Sequence, residues 1–285
     1  MRRGPGRWVA PSLALASIAL GSLGVVCRAA MNETRKLEIR RRVVRLPRLS
    51  DAFHGYRILH ISDLHVGGWA PGLDHVRTAQ SIGADLIVVT GDLIDHDRDR
   101  ESCAAALGAL HAPDGVWCVL GNHDHAATRC VGGVHRFTND LARRGVRTLR
   151  NGASPICRGR ERLWLVGVDD PYEWRVDLVQ AYNGIPEGAP SILLAHSPDV
   201  LAFLPPGRAD LVLAGHCHGG QIRTPLGAVV TRTRRRYPDV LGLQRIDGTL
   251  THLSGGVGST IPLRLLCPPE VTVLHIVAGA HAQTR

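Results

Sequence analysis

An α/β protein with two sheets packed face to face and helices outside them is what this sequence predicts, and three observations carry the prediction. Strand and helix patterns alternate through the first half of the chain, whereas strands crowd together in the second. Five short apolar runs (residues 57–62, 85–89, 116–120, 191–195 and 210–214) read as buried strands, because they are nearly continuous and bounded by polar residues or glycine. Each run leads into Asp, Asn or His. In open α/β sheets, sites form outside the carboxyl ends of the strands, so these polar residues can meet although they span more than half the chain.

The 285 residues are 44% hydrophobic, and neither an internal repeat nor a low-complexity linker divides them. One catalytic domain of roughly 240 residues is the simplest reading. Aromatics make up only 4%, so Ala, Val, Leu and Gly supply the core. The net charge of +9 is almost wholly arginine, with Lys36 the only lysine. Such a surface suits nucleic acid, membrane lipid or an anionic substrate. Apart from Arg40–Arg42 and Arg232–Arg236, however, the arginines are scattered, and nucleic acid is not the first-choice partner. Seven cysteines form no Cys-x-x-Cys and no zinc-ribbon spacing, which leaves disulfides and redox compartment open.

Taken in order, the chain begins with Arg2, Arg3 and Arg7, followed by 18 uncharged residues, 9–26. As a helix that run reaches about 27 Å, barely a bilayer core. Residues 1–30 therefore read as a membrane anchor or signal segment, with a retained anchor favoured. Seven basic residues (Arg28, Arg35, Lys36, Arg40, Arg41, Arg42 and Arg45) follow the run against three before it, which favours the cytoplasmic face over an exported one. Residues 31–52 form a connector with an edge strand at 37–46, where Leu37, Ile39 and Val43 alternate until Pro47. The main domain occupies 53–277, and 278–285 is a tail. Leu73, Val76, Ala79 and Ile82 give helical spacing to 71–82, and further helices fall at 102–110 and 131–144, the last stopped by Gly145. A strand at 163–168 ends at Asp169-Asp170. Pro198 suits the first turn of a short helix at 198–204, and strands at 250–254 and 271–277 close the domain.

The residues at the strand ends form a set with metal chemistry. A pair of divalent ions needs O and N ligands and one carboxylate to bridge them at about 3.5–4 Å. Asp63, His65, Asp92, Asn122, His196, His216 and His218 supply that inventory, with Asp92 shared. Two such ions bring about +4, and Asp63, Asp92 and a bridging hydroxide leave about +1, which a phosphodiester anion would neutralise. Asp-x-His and Gly-Asp are common turn pairs on their own. Gly121-Asn122-His123-Asp124 and Gly215-His216-x-His218 weigh more, because adjacent coordinating side chains after an apolar strand have no packing reason to be there.

The ordered set Asp63-x-His65, Gly91-Asp92-x-x-Asp95, Gly121-Asn122-His123-Asp124, His196 and Gly215-His216-x-His218 resembles the calcineurin-like metallophosphoesterases. Gly167-Val-Asp-Asp170, Gly219-Gly220-Gln221, Tyr237, Gly242-Leu243 and Cys267-Pro-Pro-Glu270 are similar to its YkuE/YaeI subgroup, often membrane-anchored, which includes UDP-2,3-diacylglucosamine hydrolases of lipid A biosynthesis. The resemblance covers about residues 36–276. It implies a four-layer α/β/β/α sandwich with two mixed sheets, the metallo-dependent phosphatase fold. It also implies two divalent metal ions (Mn, Fe or Zn), one held by Asp63, His65, Asp92 and His218 and the other by Asp92, Asn122, His196 and His216. His123 is implied to stabilise or protonate the leaving oxygen with Asp124 fixing its tautomer, and Asp95 to orient a ligand or the turn. The implied reaction is hydrolysis of a phosphodiester or pyrophosphate bond, in a lipid-linked phosphoester at the membrane, by a metal-bridged hydroxide. A phosphomonoesterase or nuclease on the same metals is the alternative, and a non-catalytic scaffold a third reading. Two positions depart from the subgroup: Cys217 stands where Thr is usual and is expected to point away from the metals, and Gly255 stands where Arg is common. His60 reads as a core residue or one behind the ligands rather than a ligand itself, whereas His75, His96, His111, His125, His135 and His281 read as solvated. Arg232–Arg236 reads either as an exposed loop or as a grip for phosphate or anionic headgroups.

Overall fold

The computed structural model describes residues 9–69, 71–129, 132–229, 231, 233–235, 237 and 239–279. Helix α1 (Val9–Glu33) leads into β1 (Glu38–Leu46), β2 (Arg57–Ile61), α2 (Gly72–Ala79), β3 (Leu86–Thr90), α3 (Arg100–Gly108) and β4 (Val116–Val119). Next come α4 (Asn122–Thr128), α5 (Gly133–Arg143), β5 (Val146–Thr148), β6 (Gly152–Arg158), β7 (Glu161–Gly167), α6 (Leu178–Ala181), β8 (Ser191–Leu194) and β9 (Leu211–Ala214). A small hairpin, β10 (Arg223–Thr224) with β11 (Gly227–Ala228), precedes β12 (Gly242–Ile246), β13 (Thr249–Leu253) and β14 (Glu270–Ala278).

Two six-stranded sheets result, in the orders β1-β14-β2-β3-β4-β5 and β12-β13-β9-β8-β7-β6. Both are mixed. In the first, β2 to β5 run parallel and β14 pairs antiparallel with β2; in the second, β13, β9, β8 and β7 run parallel, flanked by antiparallel β12 and β6. The chain thus has the α/β sandwich expected of it. Side chains of a strand alternate between faces, and here both faces are buried. Ile58, Leu86 and Val88 meet Leu165, Ile192, Leu194 and Leu213 between the sheets. Leu59, Ile87 and Val89 point outward against Val76, Cys103, Leu107, Phe137 and Leu141 of the helices. On the far side, Val166, Leu193 and Val212 pack under Ala181, Val200 and Leu201, where α6 and the 3₁₀ turn Pro198–Ala202 make a thinner outer layer. Burial on both faces is why these strands read as apolar runs without alternation.

Several elements differ from the sequence expectation. Strands β5, β6 and β12 were not foreseen, because they are short or carry breakers. Pro155 sits within β6, which is tolerated because β6 is the outermost strand of its sheet. Strand β1 does lie at the edge of the first sheet, as expected, and pairs with β14 along nine residues. Gly145 does stop α5, with φ of +80°. Among the described residues, no helix is long and apolar enough to cross a membrane. Pro11, Ser12, Ser17, Gly21, Ser22 and Gly24 dilute the run at residues 9–26. Residues 1–8 and 280–285, His281 among them, lie outside the described part, as do Cys130, Arg232 and Arg236.

Candidate metal centre

The carboxyl ends of β2, β3, β4, β8 and β9 bring all seven expected ligands to one edge of the sandwich. The turns that do this are left-handed at the ligands themselves, with φ of +53° at Asp63, +46° at His65, +50° at Asp92, +69° at His216 and +49° at His218. A side chain in that region costs of order 1 kcal/mol or more, and persists where the surroundings over-determine it. Here cross-strand hydrogen bonds do so: Asp63 N donates to Gly91 O (3.1 Å), His65 N to Asp92 O (2.9 Å) and Gly215 N to His196 O (2.8 Å). Asp63 also accepts from Ser62 Oγ at 2.6 Å and from the His216 backbone at 3.0 Å.

Of three donor groups, two hold expected ligands alone, Asp63 with His65 and His218 and Asp92 with His196 and His216, while the third joins His123 to His65 and Asp92; within each group the candidate ligating atoms lie within 4.8 Å of one another. Asp92 Oδ2 stands between the groups, 3.6 Å from His65 Nε2 and 3.2 Å from His196 Nε2. Nitrogen faces nitrogen at 3.1 Å both for His65 with His218 and for His196 with His216. Such pairs must share a proton or a cation. Asn122 Oδ1 is shielded from solvent and has no hydrogen-bond partner among the described residues. A buried oxygen without a donor, at the edge of a nitrogen-rich cluster, fits a cation ligand. Burial and the neighbouring Asp92 push the Asp63 carboxyl up. Burial acts likewise on Asp92, but His196, His65 and His123 outweigh it and hold Asp92 well below the usual carboxylate range. The first sphere is therefore a charge-dense, solvent-poor cluster suited to divalent ions.

One assignment needs correction. Asp124 does not touch the His123 ring. Its Oδ1 accepts from the backbone N–H of Leu93 (2.8 Å) and Ile94 (3.0 Å), and its Oδ2 from Gly121 N at 2.9 Å. At the third position of α4, it closes back on the residue before the helix, as a capping carboxylate does, and ties the Asp92 turn to the Asn122 turn. The group that orients His123 is Asp95, whose Oδ1 lies 2.9 Å from His123 Nδ1 and 2.7 Å from His65 Nδ1. One carboxylate therefore sets the rings of both. The direction of Asp124 is decided by where α4 begins, one residue after Gly121, which adjacency in sequence could not reveal.

Gly121 itself is required by space. A Cβ there would strike Asp92 Oδ1 and come within 2.6 Å of Asp92 N and 2.8 Å of His196 Cδ2. Gly121→Ala is expected to destabilise the fold by about 1–3 kcal/mol, as overpacking does, and to weaken metal binding. Thermal melts with and without Mn²⁺ check both: a shared drop in stability with an unaltered metal-induced shift would remove the second effect.

Sequence reasoning missed several neighbours. Ser62 Oγ, Thr90 Oγ1, His60 and His252 form a buried chain between the sheets, with links of 2.8 Å (Ser62–Thr90), 2.8 Å (Thr90–His60) and 2.9 Å (His60–His252). His60 is thus a core residue, as expected. Arg264 is wholly buried and places Nη2 2.8 Å from Gly258 O and 3.4 Å from His218 Nδ1. The Tyr172 ring lies tilted against His216 with centroids 4.6 Å apart, and Arg234 covers Tyr172 at 4.8 Å while donating to its carbonyl. Arg235 pairs with Asp247. The described arginines of the 232–236 cluster are therefore committed to internal partners. Cys217 is among the residues lining the cleft but belongs to neither donor group, and burial pushes its thiol up. Gly255 donates to Glu270 and lies against Leu241, away from the residues lining the cleft.

Two of the histidines expected to be solvated are not. His75 is buried with Nδ1 2.7 Å from Val257 O. His125 is buried against Asp169, 2.6 Å away, and so joins α4 to the loop after β7. Burial raises the Asp169 carboxyl, but His125, the Asp170 N–H and Arg150 outweigh it and bring it down to about 2. A depressed carboxylate stabilises the fold above its unfolded pKa, near 3.9, and that contribution is lost as pH falls through the folded value. Allowing for partial screening, the contribution is about 1–2 kcal/mol. In metal-free protein, Asp169→Asn should lower stability at pH 6 by this amount and flatten the loss between pH 4 and 2. Urea titrations across that range provide the check.

Oxygen and nitrogen donors in two groups around a shared carboxylate belong to enzymes that hydrolyse phosphoesters with metal assistance, and this chain is of that class. It belongs to the calcineurin-like phosphoesterases: the family profile matches residues 56–220. Phosphodiesterase YaeI of Escherichia coli is 32% identical over 243 residues, covering 82% of this chain and 86% of that protein. The metallophosphoesterase YkuE of Bacillus subtilis is 29% identical over 270 residues, with 91% and 92% covered. UDP-2,3-diacylglucosamine pyrophosphatase LpxG of Chlamydia muridarum is 24% identical over 296 residues, with 85% and 90% covered.

Proposed function

We propose that the enzyme cleaves a phosphodiester or pyrophosphate bond in a lipid-linked substrate at a membrane surface, with UDP-2,3-diacylglucosamine the first candidate. Asp63, His65, Asp92 and His218 would hold one cation, and Asp92, Asn122, His196 and His216 the other; Mn, Fe and Zn all suit this donor set. Bound there, the cations would supply positive charge for the phosphoryl oxygens and a nucleophile at neutral pH. The protein does the rest. Asp95 holds His123 Nδ1, which leaves Nε2 to face the leaving oxygen and donate a proton to it. Burial opposes the charged imidazole, but Asp95 and Asp92 raise its proton affinity overall, as an acid requires.

The observation that carries the substrate class is the cleft. Its volume is ≈ 330 Å³, and it joins the His65, Asp92 and His216 edge to an apolar wall of Ile222, Val229, Ile261 and Leu263. A polar reaction centre against an aliphatic wall suits a phosphoester with a hydrocarbon substituent. The pyrophosphatase LpxG, a relative at 24% identity, supports the same reading at a distance. The basic residues after position 26 favour an anionic leaflet surface, as on the cytoplasmic side. The test combines metal analysis with hydrolysis of UDP-diacylglucosamine, a plain bis-aryl diester and DNA. Metal-dependent release of UMP is expected. Turnover of the diester and DNA without the nucleotide sugar would replace this reading with a nuclease or broad esterase, and metal-replete protein inert on every phosphoester would end it.

A further inference from the structure

Single exposed apolar residues are ordinary, but a contiguous set is not. Around the cleft they are contiguous. Leu226, at the tip of the β10–β11 hairpin, is 99% exposed, and Leu266 is 59% exposed; Ile222, Val229 and Ile261 are exposed as well. Hydrogen bonds join them into one piece. Val229 N donates to Ile222 O, Ile222 bridges to Leu265, and the Gln221 side-chain Nε2 donates to Ile261 O. The end of α1 is clamped to the same loop: Glu33 accepts from the N–H groups of Leu266 and Cys267, and Ala30 O accepts from Arg264 N. Leu266 is held at φ of +53°. A leucine in the left-handed region is strained, and here the strained residue carries an exposed aliphatic side chain. Beyond the clamp, a cavity between α1 and α2 is lined by Met31, Arg35 and Trp69, the last 80% exposed.

The charge around this rim selects the partner. Arg28, Arg35 and Lys36 are exposed at the end of α1, and none forms an ion pair among the described residues. Aliphatic tips, an exposed Trp and uncommitted cations together match the interface of an anionic bilayer, where apolar groups enter the acyl boundary and Arg or Lys meets phosphate.

We infer that this rim is a bilayer-docking surface whose partner is a membrane bearing anionic phospholipid headgroups. The inference deepens the proposal of a lipid-linked substrate and rests on it. Ile222, Val229 and Ile261 belong both to the rim and to the cleft wall. A bilayer seated on the rim therefore lies at the cleft mouth, and the phosphate of a lipid reaches the metal edge without its chains crossing water.

The test uses the full chain with vesicles of phosphatidylcholine, with and without phosphatidylglycerol, read by co-sedimentation. Hydrolysis of a soluble bis-aryl phosphodiester is followed in parallel. Wild type is expected to bind the phosphatidylglycerol vesicles more tightly, and salt should weaken that preference. Leu226→Asp with Leu266→Asp should lower vesicle partitioning about tenfold or more, and Arg28→Glu with Arg35→Glu should remove the preference for phosphatidylglycerol. Neither pair lines the cleft, so soluble diester hydrolysis should stay at the wild-type level, which also reports folding. Leu226→Asp alone, at a fully exposed tip, repeats the test with no folding risk. Unchanged vesicle binding in the leucine variants overturns the inference, since α1 by itself would then account for attachment. So does conversion of a dimer to a monomer without loss of vesicle binding, which would mean a second copy covers the rim. Vesicle binding that persists while wild type fails to hydrolyse any diester leaves the docking surface standing and removes the catalytic reading.

Discussion

Asp92→Asn should yield a folded protein that has lost metal-dependent hydrolysis by about 10²–10³-fold, the scale on which single electrostatic contacts to a transition state act. The substitution is isosteric, and its carbonyl can still accept the His123 N–H that Asp92 Oδ1 accepts at 2.9 Å. It removes only the charge. That charge stands between His65 and His196, one from each ligand group, so both cations should bind more weakly and metal content should fall below two per chain. Elemental analysis of the purified variant, together with kcat at saturating Mn²⁺, decides the matter. A variant that keeps two metals and activity within tenfold of wild type would show that Asp92 is not shared.

His123→Ala is expected to lower kcat by about 10²–10⁴-fold on a substrate with a poor leaving group, and far less on a nitrophenyl ester whose leaving oxygen needs no proton. The contrast between substrates matters more than the size of either loss. Asp95→Asn should move activity in the same direction, because it removes the carboxylate that raises the proton affinity of His123. With the proton affinity of His123 lowered, the acid is lost at lower pH and the alkaline limb of kcat/KM shifts down with it. Asp124→Ala should behave differently. It leaves three backbone N–H groups without their acceptor, each costing about 1–3 kcal/mol when buried, so stability and metal affinity fall while the leaving-group dependence stays. If Asp124→Ala instead reproduced the leaving-group signature of His123→Ala and Asp95→Asn did not, the roles assigned to the two carboxylates would be reversed.

These two experiments separate what could be read along the chain from what could not. The strands that carry the ligands were legible because each is short, apolar and followed at once by a polar residue that packing does not explain. Gly121-Asn122-His123-Asp124 and Gly215-His216-x-His218 announced themselves in that way. The buried polar residues Ser62, Thr90 and His252 did not, since a hydroxyl or imidazole in a strand carries no mark of the sheet it will face. His75 and His125 were misread for the same reason: their burial comes from Val257 and Asp169, which are 182 and 44 residues away. Arg264 gave no signal either, because a lone arginine reads as surface until the chain folds the carbonyl groups of Gly256, Gly258 and Cys267 back around it.

By itself, then, the order of residues determined the donor set, the class of chemistry and the two-sheet architecture, because hydrophobic period and strand-end chemistry are local properties. Which carboxylate turns His123, which arginines are spent on internal partners and which apolar side chains surround the cleft were decided only by the tertiary structure. Each depends on the direction in which a side chain leaves a turn and on what another part of the chain places opposite it. Direction and opposition are three-dimensional quantities that spacing along a chain does not encode.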